Sequence, residues 1–210
     1  MKNNIFSDYP LEYDRWYDDN KNVYWPEIIT LKRVVKKEEF GLEVGVGTGR
    51  FAIPLGVDIG IDPSFEMLQI AQTRGIEVVK GVGEDIPFKC DTFDYVLFVT
   101  TVCFLDNPVS AFKEAKRVLK KGGKLVIGMI PKESVLGKYH MRNREKSRFF
   151  RNAVFYNTEE IVRELKHMGF NKFKILQTLI NYPDEKQYGK YSKIQKGYDR
   201  GSFVVITAKK

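Results

Sequence analysis

A chain of 210 residues with 43% hydrophobic and 30% charged side chains is sized for one soluble globular domain, and no apolar run approaches the ~18 residues that cross a bilayer. Its formal charge of +8 has two readings, a polyanionic or anionic partner or a lysine-rich solvated surface. Cys90 and Cys103 have neither metal-ligand nor redox spacing, and the start Met1–Phe6 lacks the apolar core of a signal peptide, so a reducing cytoplasm is the expected setting.

The aromatic, acidic stretch Tyr9–Asp19 and the mixed helical spacing of Tyr24–Lys37 predict an N-terminal helical cap over residues 1–38. Strands and helices then alternate. Short β-branched and apolar runs predict buried parallel strands at Phe40–Val46, Val57–Asp62, Ile76–Lys80, Phe93–Thr100 and Lys124–Ile130. Pro63 takes the first position of the helix after the second strand, with Met67, Ile70 and Ala71 on one face. Pro108 opens another helix, with Val109, Phe112 and Leu119 inward, and Lys120-Lys121-Gly122-Gly123 closes it with cations and a left-handed glycine cap. Residues 131–157 form a lid-like insertion. Asn157-Thr158-Glu159-Glu160 starts a third helix, ended by Gly169. Phe173–Ile180 and Ser202–Ala208, joined by a polar loop, are free to pair antiparallel. The fold class is therefore α/β: one domain, 1–210, with a doubly wound, seven-stranded, mostly parallel sheet and a C-terminal antiparallel strand pair.

Function concentrates at residues 42–50, Leu42-Glu43-Val44-Gly45-Val46-Gly47-Thr48-Gly49-Arg50. A strand that ends in alternating glycines leaves its backbone bare, so a nucleotide-like ligand can lie against it. Asp62, at the end of the second strand and about 20 residues beyond Glu43, can accept both hydroxyls of a ribose. A dinucleotide fingerprint would place its third glycine at position 50, where Arg50 stands; this spacing disfavours a nicotinamide dehydrogenase.

Further segments follow in order: Gly60-Ile61-Asp62-Pro63-Ser64, Gly81-Val82-Gly83-Glu84-Asp85-Ile86-Pro87-Phe88, Asp91-Thr92-Phe93-Asp94, and Arg117-Val118-Leu119-Lys120-Lys121-Gly122-Gly123. With Glu43–Gly49, and over about residues 40–131, they resemble the class I S-adenosylmethionine-dependent methyltransferases. The likeness is strongest to the small-molecule, type 11 group that includes ubiquinone and menaquinone biosynthesis enzymes. The resemblance implies a Rossmann-like methyltransferase fold, S-adenosylmethionine as cofactor, and methyl transfer to a small molecule by in-line displacement. It implies that Gly45, Val46, Gly47 and Thr48 form the loop under the methionine part, with Glu43 ordering that loop or meeting the ammonium through water. It further implies that Asp62 holds the ribose, Gly83 and Glu84 face the adenine, and Val99 and Thr100 flank the sulfonium. Two positions depart from the pattern: Val82 stands where the group often has Asp or Asn, and Cys103-Phe104 where many members carry histidines.

Attack on a sulfonium methyl needs in-line alignment at about 3 Å and exclusion of water more than covalent help. The acceptor wall is expected from the N-terminal segment, the loop after the fourth strand (Cys103, Phe104) and the segment after the fifth. Tyr13, Trp16 and Tyr17 either form a flap over the site or pack the N-terminal helix onto the sheet. Cys103 follows Val102 rather than the proline of cytosine-modifying enzymes and reads as a buried structural thiol. His140 is the candidate base, kept neutral by neighbouring cations, with a solvent-exposed histidine as the alternative. Pro131–Arg151 holds seven lysines and arginines against Glu133 and Glu145, either a cationic lid for an anionic acceptor or a solvated face. Small-amine N-methylation remains open. Two other classes also stay open. One is a nucleic-acid methyltransferase, favoured by charge alone because Val99-Thr100-Thr101-Val102 lacks the Asn/Asp-Pro-Pro-aromatic motif. The other is a non-catalytic cofactor-binding protein.

Overall fold

The computed structural model describes residues 5–180 and 193–210; Met1–Asn4 and part of the polar loop of the tail lie outside the described residues. The β-branched runs form five parallel strands: β1 (Gly41–Val44), β2 (Ile59–Asp62), β3 (Glu77–Lys80), β4 (Phe93–Val99) and β5 (Leu119–Met129). Their order is β3-β2-β1-β4-β5, so the direction of winding reverses between β1 and β4 and opens a crevice at the carboxyl ends of those strands. Alternation along β4 feeds two cores. Leu97 and Val99 pack with Ile28, Leu31 and Phe203 on one face, and Val96 and Phe98 with Phe112, Ile127 and Leu165 on the other.

The tail completes the sheet with one strand more than the seven expected. β8 (Gly201–Lys209) lies antiparallel between β5 and β6 (Asn171–Ile180), and β7 (Gln195–Lys196) adds a two-residue edge. Its cause is a single buried amide. Gln177 Nε2 donates to Lys196 O (3.3 Å), while its Oε1 accepts from the N–H groups of Arg200 (2.9 Å) and Gly201 (2.6 Å), drawing that turn against β6.

Helix boundaries follow capping chemistry more closely than proline placement. After α4 (Ala52–Leu55), α5 (Phe65–Thr73) is capped by Ser64, whose Oγ accepts from Met67 N–H at 3.2 Å; Pro63 therefore precedes the cap instead of opening the helix. In α6 (Pro108–Val118) Asn107 caps and Pro108 does open the helix. That helix stops at Val118, because Leu119 is already extended and paired with Phe93. Lys120–Gly123 consequently make a kink inside β5, with Gly122 at φ +76°, and not a helix cap. Helices α7 (Val135–Arg142) and α8 (Thr158–His167) follow, and in α8 Glu160 accepts from Asn157 N–H at 2.8 Å.

The described part of the N-terminus is helical: α1 (Ile5–Asp8), α2 (Pro10–Asp19) and α3 (Lys21–Leu31). Charge fastens α2 to the glycine loop. Arg50 grips Asp14 with two hydrogen bonds (2.8 and 2.6 Å) and Asp18 with two more (3.0 and 2.6 Å). Arg74 also binds Asp14 and donates to Thr48 O at 2.6 Å. Burial opposes ionisation of Asp14, but the hydrogen bonds from Arg74 and Arg50 outweigh it and hold the carboxyl well below its usual range. A depressed carboxyl stabilises the fold above its unfolded pKa of about 4, and that contribution is lost as pH falls through the folded value. Asp14→Asn is expected to lower stability at pH 7 by about 1.5–3 kcal/mol in urea denaturation, whereas Asp18→Asn, half exposed, leaves the midpoint in place.

Candidate active site at the β1/β4 crevice

At the end of β1 the N–H groups of Gly45 and Val46 both donate to Ile61 O (2.8 and 2.9 Å), which folds the chain back over β2. Gly45 sits at φ +73°, and a Cβ there would lie 2.5 Å from the Thr101 side chain. Gly47, at φ +54°, faces the crevice; its N–H donates to Asp62 Oδ2 at 2.9 Å, while Asp62 Oδ1 accepts from Ser64 N–H at 2.9 Å. One carboxylate thus joins the glycine loop to the start of α5. Burial pushes the Asp62 carboxyl up to about 6, against the lowering effect of those two N–H donors.

The crevice is a cleft of about 380 Å³, within the roughly 300–1,000 Å³ of small-molecule sites. Of the residues expected to hold cofactor, Gly45, Gly47, Asp62, Gly83, Glu84, Val99 and Thr100 line it. Thr100 adopts φ +50°, with its N–H held by Gly128 O at 2.8 Å. Three expected residues do not line it. Val46 is buried against Gly60, Thr48 is buried with its carbonyl on Arg74, and Glu43 is buried in β1 with Oε2 unpartnered. Burial first, and then the charge of Asp62, push the Glu43 carboxyl well above its ordinary value.

On the acceptor side, the three N-terminal aromatics separate by helical position. Tyr13 lines the cleft, and its hydroxyl lies 2.6 Å from that of Tyr17. Tyr17 is buried and packs edge-on against Tyr24 and Phe51, so it belongs to the core. Trp16, three residues along and turned outward, is half exposed and outside the cleft. Phe104 lines the cleft, but Cys103 lines a separate apolar void of about 10 Å³ with Phe150, Phe155 and Tyr156. Burial there pushes the Cys103 thiol up to about 12, which keeps it an inert thiol.

His140 is not among the cleft-lining residues. Its ring packs 4.3 Å from Phe150 and 5.9 Å from Phe155, and burial pushes it down to about 4. The neutral imidazole expected from nearby cations is thus produced by aromatic burial, away from the cleft. None of the seven cations of 131–151 lines the cleft either. Arg148, for example, stacks on Tyr9 at 4.1 Å and pairs with Glu12 at 3.0 Å. What the segment brings inward is Phe149, 5.7 Å from Phe6 and 5.5 Å from Tyr13. Phe6, Ser7, Thr101 and Asp106 also line the cleft and lie outside the set expected from the sequence. The Phe149-Phe150 pair, standing out in a polar stretch, was the one available signal for this wall. The cleft carries four carboxylates (Asp62, Glu66, Glu84 and Asp106), and Lys80 is its one cation among the described residues.

Comparison with known proteins decides the family. Residues 42–127 match the type 11 family described as a methyltransferase domain. A Thermotoga maritima S-adenosylmethionine-dependent methyltransferase of known structure, described as a possible histamine N-methyltransferase, is 43% identical. It superposes with a TM-score of 0.93 over 98% of each chain. The chain belongs to the class I S-adenosylmethionine-dependent methyltransferases. An uncharacterized Methanocaldococcus jannaschii protein is 45% identical over 99% of both chains. The Staphylococcus carnosus demethylmenaquinone methyltransferase is 30% identical across 58% of this chain and 57% of its own.

The enzyme's cofactor is therefore S-adenosylmethionine, and the site fits it. The orphaned carboxyl oxygen of Glu43 lies at the root of the loop, the Gly47 backbone borders the cleft, and carboxylates outnumber cations around a ligand that carries positive charge. Among the described residues no helix is long and apolar enough to cross a membrane. For His140, the aromatic burial predicts imidazole resonances that stay fixed from pH 5.5 to 8 in NMR titration. His140→Ala should lower thermal stability while leaving the dissociation constant for S-adenosylhomocysteine unchanged.

Proposed function

We propose that this methyltransferase N-methylates a small amine in the cleft at the ends of β1 and β4. The carrying observation is the pairing of carboxylates with aromatic walls: Asp62, Glu66, Glu84 and Asp106 against Lys80, beside Phe6, Tyr13 and Phe104. An amine arrives as a cation at neutral pH and is drawn by the negative field of the cleft, to which Glu66 and Asp106 contribute without holding the cofactor in this reading. Against the rings, desolvation favours its neutral form, which has the lone pair that attacks. The name given to the Thermotoga maritima relative points the same way. The cations of 131–151, all outside the cleft lining, lend no support to an anionic acceptor.

In this reading the bare backbone at Gly45 and Gly47 runs under the methionine part and Glu43 anchors the loop from below. Asp62 takes the ribose hydroxyls, Gly83 and Glu84 border the adenine, and Val99 and Thr100 flank the sulfur. The cofactor supplies a methyl group already activated by a positively charged sulfur. What the chain adds is alignment and dryness, with Phe6, Tyr13, Phe104 and Phe149 packed edge-on and stacked over the acceptor side.

Methyl-labelled S-adenosylmethionine, incubated with the enzyme and a panel of small amines, phenols, carboxylates and mixed RNA, tests the acceptor class. Label is expected on amine nitrogen; label confined to oxygen, carbon or RNA overturns the reading. Asp62→Ala should weaken S-adenosylhomocysteine binding by about 1–3 kcal/mol, read by calorimetry. An unchanged constant would remove Asp62 from the ribose role. Because the ionised carboxylate is the better acceptor and its pKa is raised to about 6, wild-type affinity should improve as pH rises from 5 to 7. Asp62→Asn should flatten that part of the profile.

A further inference from the structure

Glu43 on β1 is a buried carboxyl in the field of a second one, Asp62, at the end of the adjacent strand β2. Glu43 is 1% exposed, its Oε2 has no partner, and neither it nor Asp62 forms an ion pair among the described residues. The phenols of Tyr13 on α2, Tyr24 on α3 and Tyr95 on β4 lie in the field of Glu43 and are pushed up by burial, so they stay neutral. Glu27, which acts on Tyr17 and Tyr24, is a further buried carboxyl, pushed up to about 8 by burial alone. Arg50 and Arg74, beyond Tyr24, are already committed to Asp14 and Asp18. A buried carboxyl with no cationic partner, near a second carboxylate, resists ionisation until positive charge approaches it.

Resting on the reading of the cleft as the cofactor site, we propose that Glu43 carries a proton in the free enzyme and gives it up when the cationic donor binds, so that one buried carboxyl distinguishes donor from demethylated product. S-adenosylmethionine and S-adenosylhomocysteine share the adenosine, the ammonium and the carboxylate; they differ by a methyl group and one positive charge on sulfur. Glu43 lies buried in β1 at the root of the glycine loop, and through this dry interior a positive charge on sulfur favours its ionised form, whereas a neutral sulfide does not. The direction in which burial and Asp62 push Glu43 agrees with a proton held at neutral pH.

The reaction closes the proton balance. The methyl–sulfur bond breaks with its electron pair left on sulfur, the methyl–nitrogen bond forms, and the acceptor releases one N–H proton. As sulfur loses its charge Glu43 regains a proton, so the enzyme takes up one proton for the one the acceptor releases. For the donor, linkage of one proton tightens binding about tenfold per pH unit wherever Glu43 is protonated in the free enzyme and ionised in the complex. The product shows only the dependence due to Asp62.

Calorimetry at pH 7 in two buffers of different ionisation enthalpy counts the protons released with each ligand. About one more proton is expected with S-adenosylmethionine than with S-adenosylhomocysteine, and Glu43→Gln should abolish the difference. Equal release with both ligands, or a difference that persists in Glu43→Gln, overturns the proposal. Should that variant fail to fold, difference infrared spectra of the wild type decide. A protonated-carboxyl band lost with the donor and retained with the product supports it, and identical spectra overturn it. No binding heat with either ligand would instead overturn the cofactor-site reading itself.

Discussion

The carboxylate of Asp62 is the point through which the site is assembled. By accepting from Gly47 N–H and Ser64 N–H at once it links the glycine loop after β1 to the helix start after β2. The loop turns on left-handed glycines with few side-chain contacts of their own, and α5 is only nine residues long. Placing an ionisable group, mostly buried, at that junction raises its pKa, and the same group borders the cleft. The side chain that joins the two segments thus also lines the cleft, so a change at Asp62 disturbs both the loop and the cleft wall.

A second layer of constraint comes from Arg50. In a dinucleotide-binding loop its position would belong to a small residue beside a pyrophosphate. Here the guanidinium turns away to Asp14 and Asp18 and fastens α2 over the loop. That docking sets Tyr13 against Gly47, with 3.6 Å to where a Cβ would stand. The aromatic cover therefore depends on an ion-pair cluster at its base, reinforced by the Tyr24 hydroxyl bound to Arg50 O.

The parts of the fold legible in the sequence are those in which each residue's neighbours are close along the chain. The parallel strands, the glycine loop, the helix start at Pro108 and the one at Asn157 are local patterns with local causes. What escaped was decided at long range. The eighth strand exists because Gln177 gathers a turn some twenty residues away, and nothing in the run Gln195–Lys196 marks it as a strand. The helix end at Val118 was misplaced because Leu119 pairs with Phe93, a contact that overrides the glycine signal that follows. Of the residues expected at the cleft, Gly45, Gly47, Tyr13 and Phe104 line it, whereas Val46, Thr48, Trp16 and Tyr17 do not. Tyr13, Trp16 and Tyr17 look alike in sequence, and only the orientation of α2 sends one to the cleft, one to the core and one to solvent.

Charge illustrates the same division between composition and placement. A net +8 invites a search for anions, yet the cleft is lined by four carboxylates and a single lysine. The basic residues of 131–151 lie outside the cleft, and those with partners there use neighbouring acids, a ring and a carbonyl: Glu12, Glu145, Tyr9 and Ala153 O. Net charge therefore describes the outer surface of this protein and inverts at its cleft. A cleft so lined favours a donor whose sulfur is cationic over a product whose sulfur is neutral.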